Sequence, residues 1–195
     1  MRVLTVTVFA LFLMSCTSAP APAPAASAPA AGGAQLKGNL LQVMRGILFP
    51  NSNIIFDAQS NDPGAAKPAD KNATPAAGAT AAFSGVYGGW EAVENASIAL
   101  GEAANLISLP GRSCANGKPV PLDDPTYQKG LAALREASGI ALKAAQAKNQ
   151  DQILDAADKV TMACSTCHDV YRDVQVDGKP AGIEARCMPQ GAKGK

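Results

Sequence analysis

Apolar and small residues recur in alternating steps of four and three through Ile153, Ala157, Val160, Cys164, Cys167, Tyr171 and Val174. That spacing keeps one face of an α-helix turned toward a neighbour, and it predicts a helix from about 149 to 174, ended by Gly178 and Pro180. Three further segments share the pattern. Tyr127, Leu131, Leu134, Ser138, Ala141 and Ala145 follow Asp124 and Pro125, which read as N-cap and first-turn residues. Trp90, Val93, Ser97, Leu100, Ala104 and Ile107 make a seam with Glu91, Glu94, Glu102 and Asn105 off it, stopping before Pro110-Gly111. Leu36, Leu40, Met44, Ile47 and Leu48 make a stripe that meets Pro50. A proline there biases Phe49 out of helix, so a kink is expected, or a break with resumption at Asn53 to Gln59. Four amphipathic helices without a strand signal predict an all-α fold, an antiparallel four-helix bundle in up-down-up-down order. The Gly, Ala, Pro and Asn-rich connection between Ser60 and Ala82 is expected to be largely disordered.

The first of these helices in the argument carries chemistry. Cys164-Ser165-Thr166-Cys167-His168 puts two thiols at i and i+3 and an imidazole at i+4 on one helical face. That arrangement suits two thioethers to the vinyl groups of one porphyrin and a ring nitrogen on its iron, so one covalent haem c is expected. Two other uses of a Cys-x-x-Cys pair compete. A dithiol redox pair needs a strand leading into a helix N-terminus, whereas this motif lies late in a helical pattern. A zinc site needs four ligands, and with one histidine in the chain it would have to recruit both Cys114 and Cys187. Small residues dominate the seams and aromatic residues make up only 5% of the chain, so a large apolar cofactor would fill space that alanine leaves.

The N-terminus points to export, the condition under which such a haem is attached. Arg2 precedes an apolar run from Val3 to Met14, the length of a signal h-region and short for a membrane span. Leu13-Met14-Ser15-Cys16 resembles a bacterial lipobox, which makes residues 1–15 a signal peptide and Cys16 a lipid-bearing first residue. Cleavage further on in the Ala-rich stretch is the other outcome. Residues 16–35 then form an Ala/Pro-rich leash, and the 18 residues from Thr17 to Ala34 span roughly 50 Å at about 3.1 Å each. The leash would hold residues 36–195, the haem domain, clear of a membrane in the periplasm. Lys and Arg total 17 against 16 Asp and Glu; that balance leaves no basic footprint for nucleic acid. Of the five cysteines, Cys114 and Cys187 remain for a disulfide or as two free thiols.

In an up-down-up-down bundle Met44 and His168 each stand roughly 10 Å from the same end, at about 1.5 Å per residue. The same order brings the loop carrying Cys114 toward the tail carrying Cys187. His168, the only histidine, is the expected proximal ligand. For the sixth position Met162 shares the proximal helix and Met188 needs the tail to cross the distal face, which leaves Met44 as axial donor or as plain core packing. Here the chain resembles the class II cytochromes c, the cytochrome c′ and c-556 family. The resemblance covers the haem motif, its continuation Tyr171-Arg172, and Met44-Arg45, where six-coordinate members have an axial Met. Pro50, the long connection, the lipobox and the tail with Cys187 depart from the pattern. The resemblance implies metal ligation by His168 and Met44, with Arg172 beside the proximal histidine to hold a propionate or disfavour imidazolium, unless it is merely solvated. It also implies one-electron transfer with redox partner proteins, and it allows a homodimer. With the sixth position open, the chain would instead bind or sense a small gas such as nitric oxide. No acid–base pair or nucleophile stands near the motif, so no enzymatic activity is expected.

Overall fold

The computed structural model describes residues 35–65, 88–176, 179–180 and 182–188. The signal segment, Cys16, the leash as far as 34 and most of the 60–82 connection lie outside them. Residues 36 onward form one compact unit, whose described residues are predominantly helical and make four helical rods. The first rod is composite: α1 (Leu40–Val43), a π-helical turn (Met44–Leu48) and α2 (Phe49–Asp57). The others are α3 (Gly89–Ile107), α4 (Pro125–Gln146) and α5 (Gln150–Tyr171). After α5 come two paired segments, β1 (Gln175–Val176) and β2 (Lys179–Pro180), and a 3₁₀ turn, Ile183–Ala185. This small hairpin was not foreseen, since two-residue strands carry no periodicity to read.

Each start has a local cause. Asn39 and Gln42 form a reciprocal capping box, with bonds of 3.0 and 2.8 Å. Asp124 accepts from the Thr126 N–H at 2.8 Å with Pro125 in the first turn, and Asn149 accepts from the Gln152 N–H at 3.0 Å. Pro50 neither breaks the first helix nor delays it to Asn53. The backbone stays helical through Val43, Met44, Leu48 and Phe49. What gives way is the hydrogen-bond spacing, which widens so that the Phe49 N–H reaches the Met44 carbonyl. The Pro50 ring needs room against the preceding turn, and the carbonyls around it need other donors. Asn51 supplies one, its Nδ2 donating to the Ile47 carbonyl at 2.7 Å.

α4 packs along α5 and α3 along α4, while α2 lies against α3 and, to a lesser extent, α5. All six seam residues of α4 are buried. So are Val93, Ser97, Leu100, Ala104 and Ile107 of α3. Ala96, Ala103, Ala104, Ala141, Ala156 and Ala157 are fully buried and let the helices approach closely around Ile55, Leu100, Leu131, Ile153 and Val160. α5 ends at Tyr171 rather than Val174, because Arg172 leaves the regular helix with φ −112°. Between α3 and α4, Arg112 is buried and donates to the carbonyls of Gly38 at 3.0 Å and Leu106 at 3.2 Å. With the Leu40 N–H on Ser113 O at 2.8 Å, it fastens this loop to the start of α1.

Candidate functional site

A cavity of about 390 Å³ lies between the first rod and the C-terminal part of α5. Its volume falls in the range of about 300–1,000 Å³ usual for small-molecule and cofactor sites. Cys164, Cys167 and His168 line it from α5, and Met44 lines it from the π turn together with Leu40, Leu48 and Phe49. Tyr127, Gly130, Leu131 and Leu134 of α4 close another wall. Cys164 and Cys167 therefore depart from their seam neighbours: they are half-buried, while Val160, Ala163 and Tyr171 on either side are buried. The motif stands in the last turns of α5, and the His168 carbonyl accepts the N–H of both Arg172 (2.9 Å) and Asp173 (2.8 Å).

The other methionines of the described residues are elsewhere. Met162 is 68% exposed. Met188 meets the Lys118 ammonium through its sulfur. Neither lines the cavity. Arg172 reaches the lining but is engaged by its neighbour, Nε donating to Asp173 Oδ1 at 2.8 Å and Nη2 to Oδ2 at 2.6 Å.

Burial, and after it the Arg172 guanidinium, holds the His168 imidazole below its usual range, so at neutral pH it keeps a lone pair free for a metal. Burial likewise raises the Cys164 thiol, against the pull of Arg172. Cys167 is pushed up to about 11 by burial, then by Cys164 and Asp124. These thiols are the opposite of an activated redox pair, which is a lowered-pKa thiolate near a helix N-terminus. The disulfide between Cys114 and Cys187, with Cα atoms 6.4 Å apart, also removes the two cysteines that a zinc site would have needed.

Three residues of the lining were not among the expected site residues. Gly130 sits inside α4, where a Cβ would overlap the Cys167 Sγ. Its signal was present, since a glycine inside a helix costs about 1 kcal/mol relative to alanine and calls for a reason. Tyr127 packs edge-on against Tyr171 with ring centroids 5.8 Å apart, and its hydroxyl donates to the Ile107 carbonyl at 3.1 Å. The Tyr171 hydroxyl makes no well-formed hydrogen bond among the described residues, yet it lies close enough to hold the Asp124 carboxyl below the usual carboxylate range. Arg186 arrives with the tail. The Cys187 N–H bonds the Tyr171 carbonyl at 2.9 Å, and Asn116 Nδ2 donates to the carbonyls of Arg186 (2.7 Å) and Glu184 (3.0 Å). Cys187 itself adopts φ +61°, a left-handed turn that non-glycine residues seldom take.

The donor set fits a covalently held haem: two neutral thiols one helical turn apart, a neutral imidazole next to the second, and a thioether in the lining of the same apolar cavity. No protein-family model matches the chain, and no curated protein or solved structure is significantly similar to it.

Proposed function

We propose that this chain is a class II-like c-type cytochrome, an antiparallel four-helix bundle in up-down-up-down order that carries single electrons in the periplasm. Cys164 and Cys167 would hold the porphyrin by two thioethers, each replacing one S–H bond and one vinyl double bond. His168 would offer the iron an imidazole nitrogen and Met44 a thioether sulfur. The haem supplies the iron couple that takes up and releases one electron. Leu40, Leu48 and Leu131 would keep water from the cavity, and a thioether ligand from Met44 would favour the reduced iron and so raise the potential. Cys16 would bear the lipid, and the leash would let the domain reach redox partner proteins.

The observation that carries this reading is the shared lining of one cavity by Met44, Cys164, Cys167 and His168. Its test is the absorption spectrum of the purified protein in both oxidation states. The ferric protein should show the charge-transfer band of a sulfur–iron bond, and Met44→Ala should abolish it. If the band is missing from the unaltered protein, or survives in Met44→Ala, Met44 is only packing. Direct uptake of carbon monoxide by the reduced unaltered protein would favour the gas-binding alternative, in which Met44 and its leucine neighbours wall an open apolar pocket.

A further inference from the structure

Three arginines border the cavity: Arg45, Arg172 and Arg186. Two have evident circumstances. Arg172 is held in a two-point ion pair with Asp173, and Arg45 is exposed on the π turn. Arg186 differs from both. It is half-buried, and its Nε is enclosed with no hydrogen-bond partner among the described residues. Its backbone is fixed all the same, by Asn116 on its carbonyl and by the disulfide and Tyr171 bond of the next residue. A guanidinium edge shielded from water without an acceptor is unfavourable, and its planar fork matches a carboxylate. The nearby carboxylate of Asp173 is already taken.

We propose that Arg186 is a carboxylate-binding residue of the cavity and that the group it holds is a propionate of the haem. This rests on the proposed haem attachment. It gives the tail a task in the site: the Cys114–Cys187 bridge positions the residue that neutralises one end of the cofactor. A charge-assisted bond from Arg186 would hold the propionate ionised and place a cation near the iron, which disfavours the oxidised state.

The test uses the full haem-bearing chain. Intact mass first reports whether the unaltered chain carries covalent haem, and the midpoint potential is then measured for it, for Arg186→Gln, for Arg186→Lys and for the Cys114→Ser/Cys187→Ser pair. Arg186→Gln should lower the potential and Arg186→Lys should restore part of the loss. Cys114→Ser/Cys187→Ser should lower it as well, and adding Arg186→Gln to that pair should change it little further. A second readout needs no variant: phenylglyoxal should modify Arg186 in the haem-free chain and spare it in the haem-bearing one. A haem-bearing protein whose potential is unmoved in Arg186→Gln, or whose Arg186 is modified equally with and without haem, overturns the Arg186 proposal and leaves the cytochrome standing. An unaltered chain without covalent haem overturns both.

Discussion

Replacing Cys114 and Cys187 by serine opens a loop closed over a sequence separation of 73 residues. The chain-entropy relation gives about 15 cal/mol/K for a loop of that length, or about 4.4 kcal/mol at 25 °C, as the stabilisation from constraining the unfolded state. That full figure is lost only if the tail stays docked without the bridge. Among the described residues, four hydrogen bonds hold it besides the disulfide: the Cys187 N–H on Tyr171 O, the two from Asn116, and the Lys118 ammonium on the Met188 sulfur. At roughly 0.5–1.5 kcal/mol net each, they oppose the ordering of the residues from Arg172 to Met188 at about 1–2 kcal/mol apiece. The tail should therefore come free in the variant, and the freedom it regains offsets much of the loop term. The expected loss in a guanidinium unfolding experiment is under about 2 kcal/mol, less than half of the loop term. Trypsin should cut the folded variant after Arg186 and spare the unaltered protein. A loss near the full loop term with a protected tail would refute the reasoning, because non-covalent contacts would then suffice. Equal stability and equal protection would mean that the bridge constrains nothing.

Two further outcomes test the wall opposite Cys164 and Cys167. Gly130→Ala should destabilise the protein by about 1–3 kcal/mol through overpacking and reduce the fraction of chain carrying covalent haem by intact mass; Gly139→Ala, where nothing lies within 4 Å of the new Cβ, should leave attachment unchanged. In the haem-free chain, the rate of Cys167 alkylation by iodoacetamide should keep rising with pH toward a midpoint of about 11, because only the thiolate reacts; a rate that levels off near pH 8 would show that the thiol is neither buried nor crowded by Cys164 and Asp124.

The long helices were legible because their signal is redundant. Six α4 positions in steps of four and three, set behind an Asp-Pro start, leave one face and one beginning to choose. Ala156 and Ala163 escaped the α5 seam only because a real buried face is wider than a single file of residues. Pro50 left the first helix open to more than one reading. A proline forbids one hydrogen bond and crowds one turn, and from sequence a break, a kink and a widened turn all satisfy that constraint. Asn51, one residue on, adds a side-chain bond to the Ile47 carbonyl of the widened turn. The site divides similarly. Cys164, Cys167, His168 and Met44 could be named from spacing and from levels along antiparallel helices. Gly130, Tyr127 and Arg186 could not be named as lining, since their parts depend on which α4 rotation meets α5 and on where an irregular tail lands. The burial of Arg112 belongs with them: its acceptors are backbone carbonyls, which no sequence pattern marks.

The cavity lining gathers three of the four cysteines among the described residues, Cys164, Cys167 and Cys187. Any oxidant that closes the Cys114–Cys187 bridge thus works within reach of two thiols that, on the proposed reading, must stay reduced to receive a haem. The folded chain sorts them by acidity, since burial leaves Cys164 and Cys167 as thiols where exchange requires a thiolate. Before folding no such protection exists, and the neighbours Cys164 and Cys167, three residues apart, are then the quickest to pair with each other. If the chain takes up haem as proposed, its maturation is a contest between two sulfur chemistries, and the order in which helix α5 forms, the tail closes and the haem arrives decides which one each cysteine enters.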